Sequence, residues 1–149
     1  MKEMHVLIIP TAYPNDYNPV SNIFFRDQAE ALASNGFKVG VLALVPITIQ
    51  QIFKKRKFNF GLQVFKENGV MTYLFMFPVL PKSEPLKQWL RKTIGLWVFK
   101  KYQIDQGIPD IQHVHPKETV PVFQAFPVLH LQFLIFYKLL FRGSNNLLR

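Results

Sequence analysis

The chain has 149 residues, 49% of them hydrophobic, with a formal net charge of +9 and no cysteine. That size fits one domain with ample apolar side chains for a core, which excludes disorder throughout. Without cysteine there is no disulfide frame, no thiolate metal site and no cysteine nucleophile, and the few apolar residues between Glu3 and Pro10 do not make a secretory leader, so a cytoplasmic protein is expected.

His5 to Ile9 is a short apolar run rich in β-branched residues and stopped by Pro10, as in a strand buried on both faces of a parallel sheet. The following residues are turn formers: Pro14, Asn15, Asp16, Asn18, Pro19, Ser21 and Asn22. A loop this long within a compact domain is more often functional than idle. A helix follows, with Phe25, Ala29 and Leu32 on one face, Ser21 or Asn22 as its cap, and Gly36 for the left-handed turn that ends it. Val39 to Val45 returns as a second strand. A right-handed crossover of this kind leaves the loop at the carboxyl edge of the sheet and beside a helix N-terminus, where open α/β folds bind ligands and an anion is favoured.

Residues 46–69 mix Ile47, Ile49, Ile52 and Phe53 with a basic block and read as an excursion ending in an Asn68-Gly69 turn. Val70 to Phe77 reads as a buried strand closed by Pro78 and Pro81. Ser83 caps the next helix, where Leu86, Leu90, Ile94, Trp97, Val98 and Tyr102 recur at helical spacing toward Gly107, so Trp89 and Trp97 are expected to pack rather than to stack on a ligand ring. Ile111 to His115 makes a further strand. After Pro116 the rhythm is lost: Val128 to Phe141 is greasy, but interrupted by His130, Gln132 and Lys138 and shorter than the ~20 apolar residues that span a bilayer.

The positive charge suits a polyanionic partner. Lys54, Lys55, Arg56 and Lys57 form one block flanked by Phe53, Phe58 and Phe60, while Lys87, Arg91, Lys92, Lys100 and Lys101 spread along the second long helix. A solvated face is the plainest explanation, an anionic membrane surface comes next, and nucleic acid last, since no recognition motif accompanies the charge.

His113 and His115 are read as pointing to opposite faces of their strand, so that they do not grip one metal ion; no metal or cofactor is expected. His115, at the strand's carboxyl end, is placed to donate to a phosphate oxygen or to stabilise a charged leaving group. Neither GxGxxG nor GxxxxGK[ST] occurs, and Ser21, Ser34, Ser83 and Ser144 lack a nucleophile elbow. Asp27 and Glu30 are expected to face solvent or pair with Arg26.

Taken in order, the first strand, the YP-containing loop, NPVSNIFFRDQAEALASNGFKVGVL, the cationic insert, the amphipathic helix and GIPDIQHVH resemble the N-terminal domain of family 4 glycosyltransferases, enzymes of the GT-B fold. The resemblance covers roughly residues 4–115. It implies an α/β, Rossmann-like parallel sheet flanked by helices, forming the acceptor-side domain (1–115), with residues 116–149 as a non-matching apolar tail. It further implies a nucleotide sugar donor, a glycan or lipid-linked acceptor, no essential metal, and a first loop that closes on the donor phosphates, here Pro19, Val20, Ser21 and Asn22. His115 matches the family histidine near the reacting centre, and Lys54 to Lys57 would lie on the acceptor or membrane side, at the inner face of a membrane. The sequence departs from the family pattern at Asn22, where members usually carry glycine, and after Pro116, where the continuation and the donor domain do not follow. A truncated or frameshifted gene is the expectation, with an inactive product unless a separate chain supplies the donor half.

Overall fold

In the computed structural model, residues 3–15, 17–54, 59–80 and 84–115 are described. The first apolar run forms β1 (His5–Ile9), buried along its whole length. It is followed by α1 (Ile23–Ser34), β2 (Lys38–Thr48), the short α2 (Ile49–Lys54), β3 (Gly61–Glu67), β4 (Val70–Val79), α3 (Glu84–Gln106) and β5 (Ile111–Val114). The sheet runs β3-β4-β2-β1-β5. β1 pairs in parallel with β2 and β5, β2 in parallel with β4, and only β3 is antiparallel, against β4. The protein is therefore an α/β, Rossmann-like mixed sheet flanked by helices.

The period-two alternation of the strands feeds two cores. Val6, Ile8, Val39, Val41 and Ala43 meet Phe25, Ala29 and Leu32 of α1, whereas Leu7, Ile9, Leu42 and Leu44 meet Val98, Phe99 and Tyr102 of α3. Gly40 lies under Tyr102, and a Cβ there would overlap the tyrosine hydroxyl and ring. Such overpacking costs about 1–3 kcal/mol or more. At the far end of α1, Gly36 takes φ +84 as expected for the left-handed stop.

Four elements depart from the sequence reading. Residues 61–67, expected within an irregular excursion, form β3, because Asn68 and Gly69 both adopt positive φ and close a two-residue hairpin between Glu67 and Val70. β2 continues to Thr48 and β4 to Val79, through Pro46 and Pro78, since the two strands stay in register to their ends. In α3 the buried stripe is Arg91, Gly95, Val98, Phe99 and Tyr102, leaving Trp97 54% exposed and Leu86 on the surface. Of the expected stripe, Val98 and Tyr102 are buried and Leu90 and Ile94 pack against the same core, whereas the small Gly95 and the charged Arg91 gave no apolar signal for their place on it. The cap proposed at Ser83, the cations Lys55, Arg56 and Lys57, and the tail 116–149 lie outside the described residues.

His5 closes the amino edge of the sheet. Its Nε2 is hydrogen-bonded to the Tyr102 hydroxyl at 2.6 Å, and its amide donates to Asp110 Oδ2 at 2.9 Å. Burial, helped by the Lys38 charge, pushes its pKa below the usual 6.5, and burial with the nearby His115 does the same to His113. Both rings fold in the neutral form, while the unfolded chain takes up their protons first as pH falls. Stability from these groups is complete above pH 6.5 and is lost as pH drops from there through their folded pKa values. Urea unfolding free energy should hold steady from pH 8 to about 6.5 and decline toward pH 5; a shallower decline in His113→Phe would tie it to that ring, and a flat profile in the parent would contradict the assignment.

Candidate functional site at the carboxyl edge

From β1 the chain moves outward to β2 and β4, then crosses back to pair β5 on the other side of β1, so α1 and α3 lie on opposite faces. The carboxyl ends of β1 and β5 thus flank the point where strand order reverses, the place where open α/β sheets form a binding crevice. The loop of residues 10–22 and His115 both emerge there.

Asn15 orders the loop. Its Oδ1 accepts the amides of Tyr17 and Asn18 at 3.0 and 3.1 Å, and its Nδ2 donates to the Tyr13 carbonyl at 3.1 Å. The Tyr17 hydroxyl accepts the Asn59 amide at 2.8 Å, tying the loop to the start of the hairpin. Neither cap expected for α1 forms through a side chain: Asn22 occupies the N-cap position in the left-handed region, φ 48 and ψ 45, with no side-chain cap hydrogen bond. Asparagine tolerates that region better than most residues.

The proposed phosphate loop is divided by this geometry. Pro19 has no amide hydrogen, and the Ser21 amide donates to the Asn18 carbonyl at 3.2 Å. Val20 is exposed, and Pro19 faces a depression that Arg26 and Gln63 also line. The Phe25 amide already donates to the Asn22 carbonyl at 3.0 Å, which leaves the amides of Val20, Asn22, Ile23 and Phe24 as the candidates for an anion.

His115 donates its backbone amide to the Ile9 carbonyl at 3.1 Å, and its ring meets the Phe25 ring edge-on at 5.3 Å. Phe25 sits in the first turn of α1, so the histidine and residues 19–22 share one end of the molecule. The expectation that His113 and His115 diverge is overturned. Residues two apart along a strand share a face; His113 pairs with Ile8 of the α1-side core, and His115 packs on α1. No group of three metal-binding side chains occurs among the described residues.

A cleft of about 380 Å³ opens between the loop, the end of β2 and α2. Ser21, Tyr17 and Gln51 supply polar atoms, Leu44 and Ile47 apolar walls, and Lys54 and Arg91 the charge. Among the described residues that line it there is no carboxylate. Arg91 comes from α3 and is only 7% exposed. Sequence reasoning placed it with the dispersed cations of a helix face, yet it stands four residues before Gly95 and seven before Val98, on the buried stripe.

No family model, curated protein or solved structure matches the chain. The local conformation can be tested directly. Replacing Asn22 by Gly should leave stability within about 0.5 kcal/mol of the parent or raise it, whereas Asn22→Val should lower it by about 1–2 kcal/mol, because a β-branched side chain is strained at φ +48; equal melting temperatures for the two variants would contradict the αL assignment.

Proposed function

We propose that residues 1–115 are the acceptor-side half of a sugar-nucleotide-dependent glycosyltransferase of polysaccharide or glycolipid biosynthesis, and that transfer requires a donor-binding half in addition. The observation that carries this reading is the emergence of the loop 10–22 and of His115 at one edge of the sheet, linked through Phe25. In the reaction an acceptor hydroxyl oxygen bonds to the sugar's anomeric carbon as the bond to the diphosphate breaks. The hydroxyl proton is released, and the leaving diphosphate gains charge. Amides at the start of α1 and an imidazole nearby are suited to that charge. Without a second domain to hold base and ribose, positioning is incomplete, and positioning supplies much of such a rate. A nucleoside diphosphate sugar should raise the melting temperature of the chain, and His115→Ala should diminish the rise, with no transfer or hydrolysis above the variant's level. Turnover above that level, or no thermal shift at all, would refute the reading.

A second reading, a basic module on an anionic membrane surface or a partner protein, is favoured by the outer face of α3. Trp89 is 60% and Trp97 54% exposed, alongside the exposed Lys92, Lys100 and Lys101, and Phe53 of α2 is 82% exposed. Aromatic rings interleaved with cations suit the headgroup region of a bilayer. Among the described residues no helix is long and apolar enough to cross a membrane. Peripheral contact predicts sedimentation with vesicles rich in anionic lipid, weakened by salt and reduced several-fold in Trp89→Ser/Trp97→Ser; sedimentation that is unchanged by both salt and the substitutions would exclude this surface.

A further inference from the structure

Beside the cationic cleft runs a mostly apolar groove of about 260 Å³, bounded by Ile49, Pro78, Val79, Leu80, Leu86, Leu90 and Lys87, whose ammonium pairs with Glu84 at 3.2 Å. The same two helices contribute to both. α2 gives Ile49 to the groove and Gln51 and Lys54 to the cleft, and α3 gives Leu90 to the groove and Arg91 to the cleft. A single ligand spanning both would meet two cations and several hydrogen-bonding groups at one end and, at the other, a mostly apolar wall whose one lysine is already paired with Glu84.

We propose that the cleft and groove together bind an amphiphile with a phosphoryl head and an alkyl chain, Lys54 and Arg91 holding the head and Leu80, Leu86 and Leu90 the first methylenes. Three properties support this occupant. Arg91 is only 7% exposed and lines the cleft together with Leu44 and Ile47, and a low local dielectric there strengthens its attraction for an anion. A planar guanidinium can give a phosphoryl group paired N–H donors while the lysine adds a point charge. The exposed Leu80 and Leu86 leave apolar surface at the mouth of the groove that a chain would cover. A hydrophilic phosphate ester would use the cleft and leave the groove in water. As the class of acceptor, this rests on the glycosyltransferase reading; as a binding site, it does not.

Calorimetry with dodecyl phosphate below its micellar concentration, inorganic phosphate and dodecyl maltoside tests the proposal, since none of these probes carries a nucleotide and the result is therefore separate from the donor test. Each methylene withdrawn from water contributes about fourfold in affinity. Dodecyl phosphate should therefore bind at least about 50-fold more tightly than inorganic phosphate, and more tightly than the uncharged maltoside. Lys54→Gln should weaken dodecyl phosphate about tenfold. Leu86→Asn should weaken it by a similar factor while leaving inorganic phosphate unchanged. Both positions are exposed, so a circular dichroism spectrum like the parent's is expected and makes the comparison fair even if Arg91→Gln does not fold. Equal affinity for dodecyl phosphate and inorganic phosphate, equal affinity for the phosphate and maltoside amphiphiles, or indifference to both substitutions would overturn it.

Discussion

Burial of β1 on both faces is the constraint on which the rest of the molecule depends. A strand with no polar face needs a parallel neighbour on each side and a helix layer above and below. The chain meets that requirement by going out through α1 to β2 and returning through α3 to β5. Two helices on opposite faces and a reversal of strand order beside β1 follow from it. The crevice at the carboxyl edge is thus a by-product of sealing the centre of the sheet, and the loop 10–22 and His115 occupy it because of where their strands end.

The tight seat of Tyr102 shows how the same constraint reaches the opposite edge. Leu7 and Ile9 face α3, and Gly40 in β2 opens the space into which the Tyr102 ring descends to reach His5. Tyr102 also packs edge-on against Tyr73 at 5.0 Å, whose hydroxyl donates to Asp105 at 2.9 Å. Polar atoms are carried into the core here, but in pairs. Burial raises the Tyr102 hydroxyl well above the ordinary phenol range, so it stays protonated and able to donate to a neutral imidazole.

Much of this was legible in the residues, and the failures have physical causes. β1, α1 and the stop at Gly36 could be read because their hydrophobic pattern and turn chemistry agree. β3 was missed although the Asn68-Gly69 turn was seen: in an edge strand with Val64, Phe65, Lys66 and Glu67 all exposed, Leu62 packing against the core is too little apolar alternation to betray it. In α3 periodicity found the helix and most of its inward face, Leu90, Ile94, Val98 and Tyr102, but missed Arg91 and Gly95 on that face and put the exposed Leu86 and Trp97 there instead. The histidines were assigned to opposite faces against the strand's own period. The cleft itself required tertiary structure, since Ser21, Lys54 and Arg91 are brought together only by three separate elements.

The split between near and distant pairings bears on how the chain assembles. β3 and β4 meet across two residues and need nothing else to find their register, whereas the His5 amide and its Asp110 acceptor stand 105 positions apart. Loop-closure entropy makes the hairpin an early event and the docking of β5 a late one. During synthesis, β1 emerges first yet keeps one edge open until α3 has been laid down and β5 arrives, which leaves the most apolar strand of the sheet dependent on the last described element to shield it from other chains.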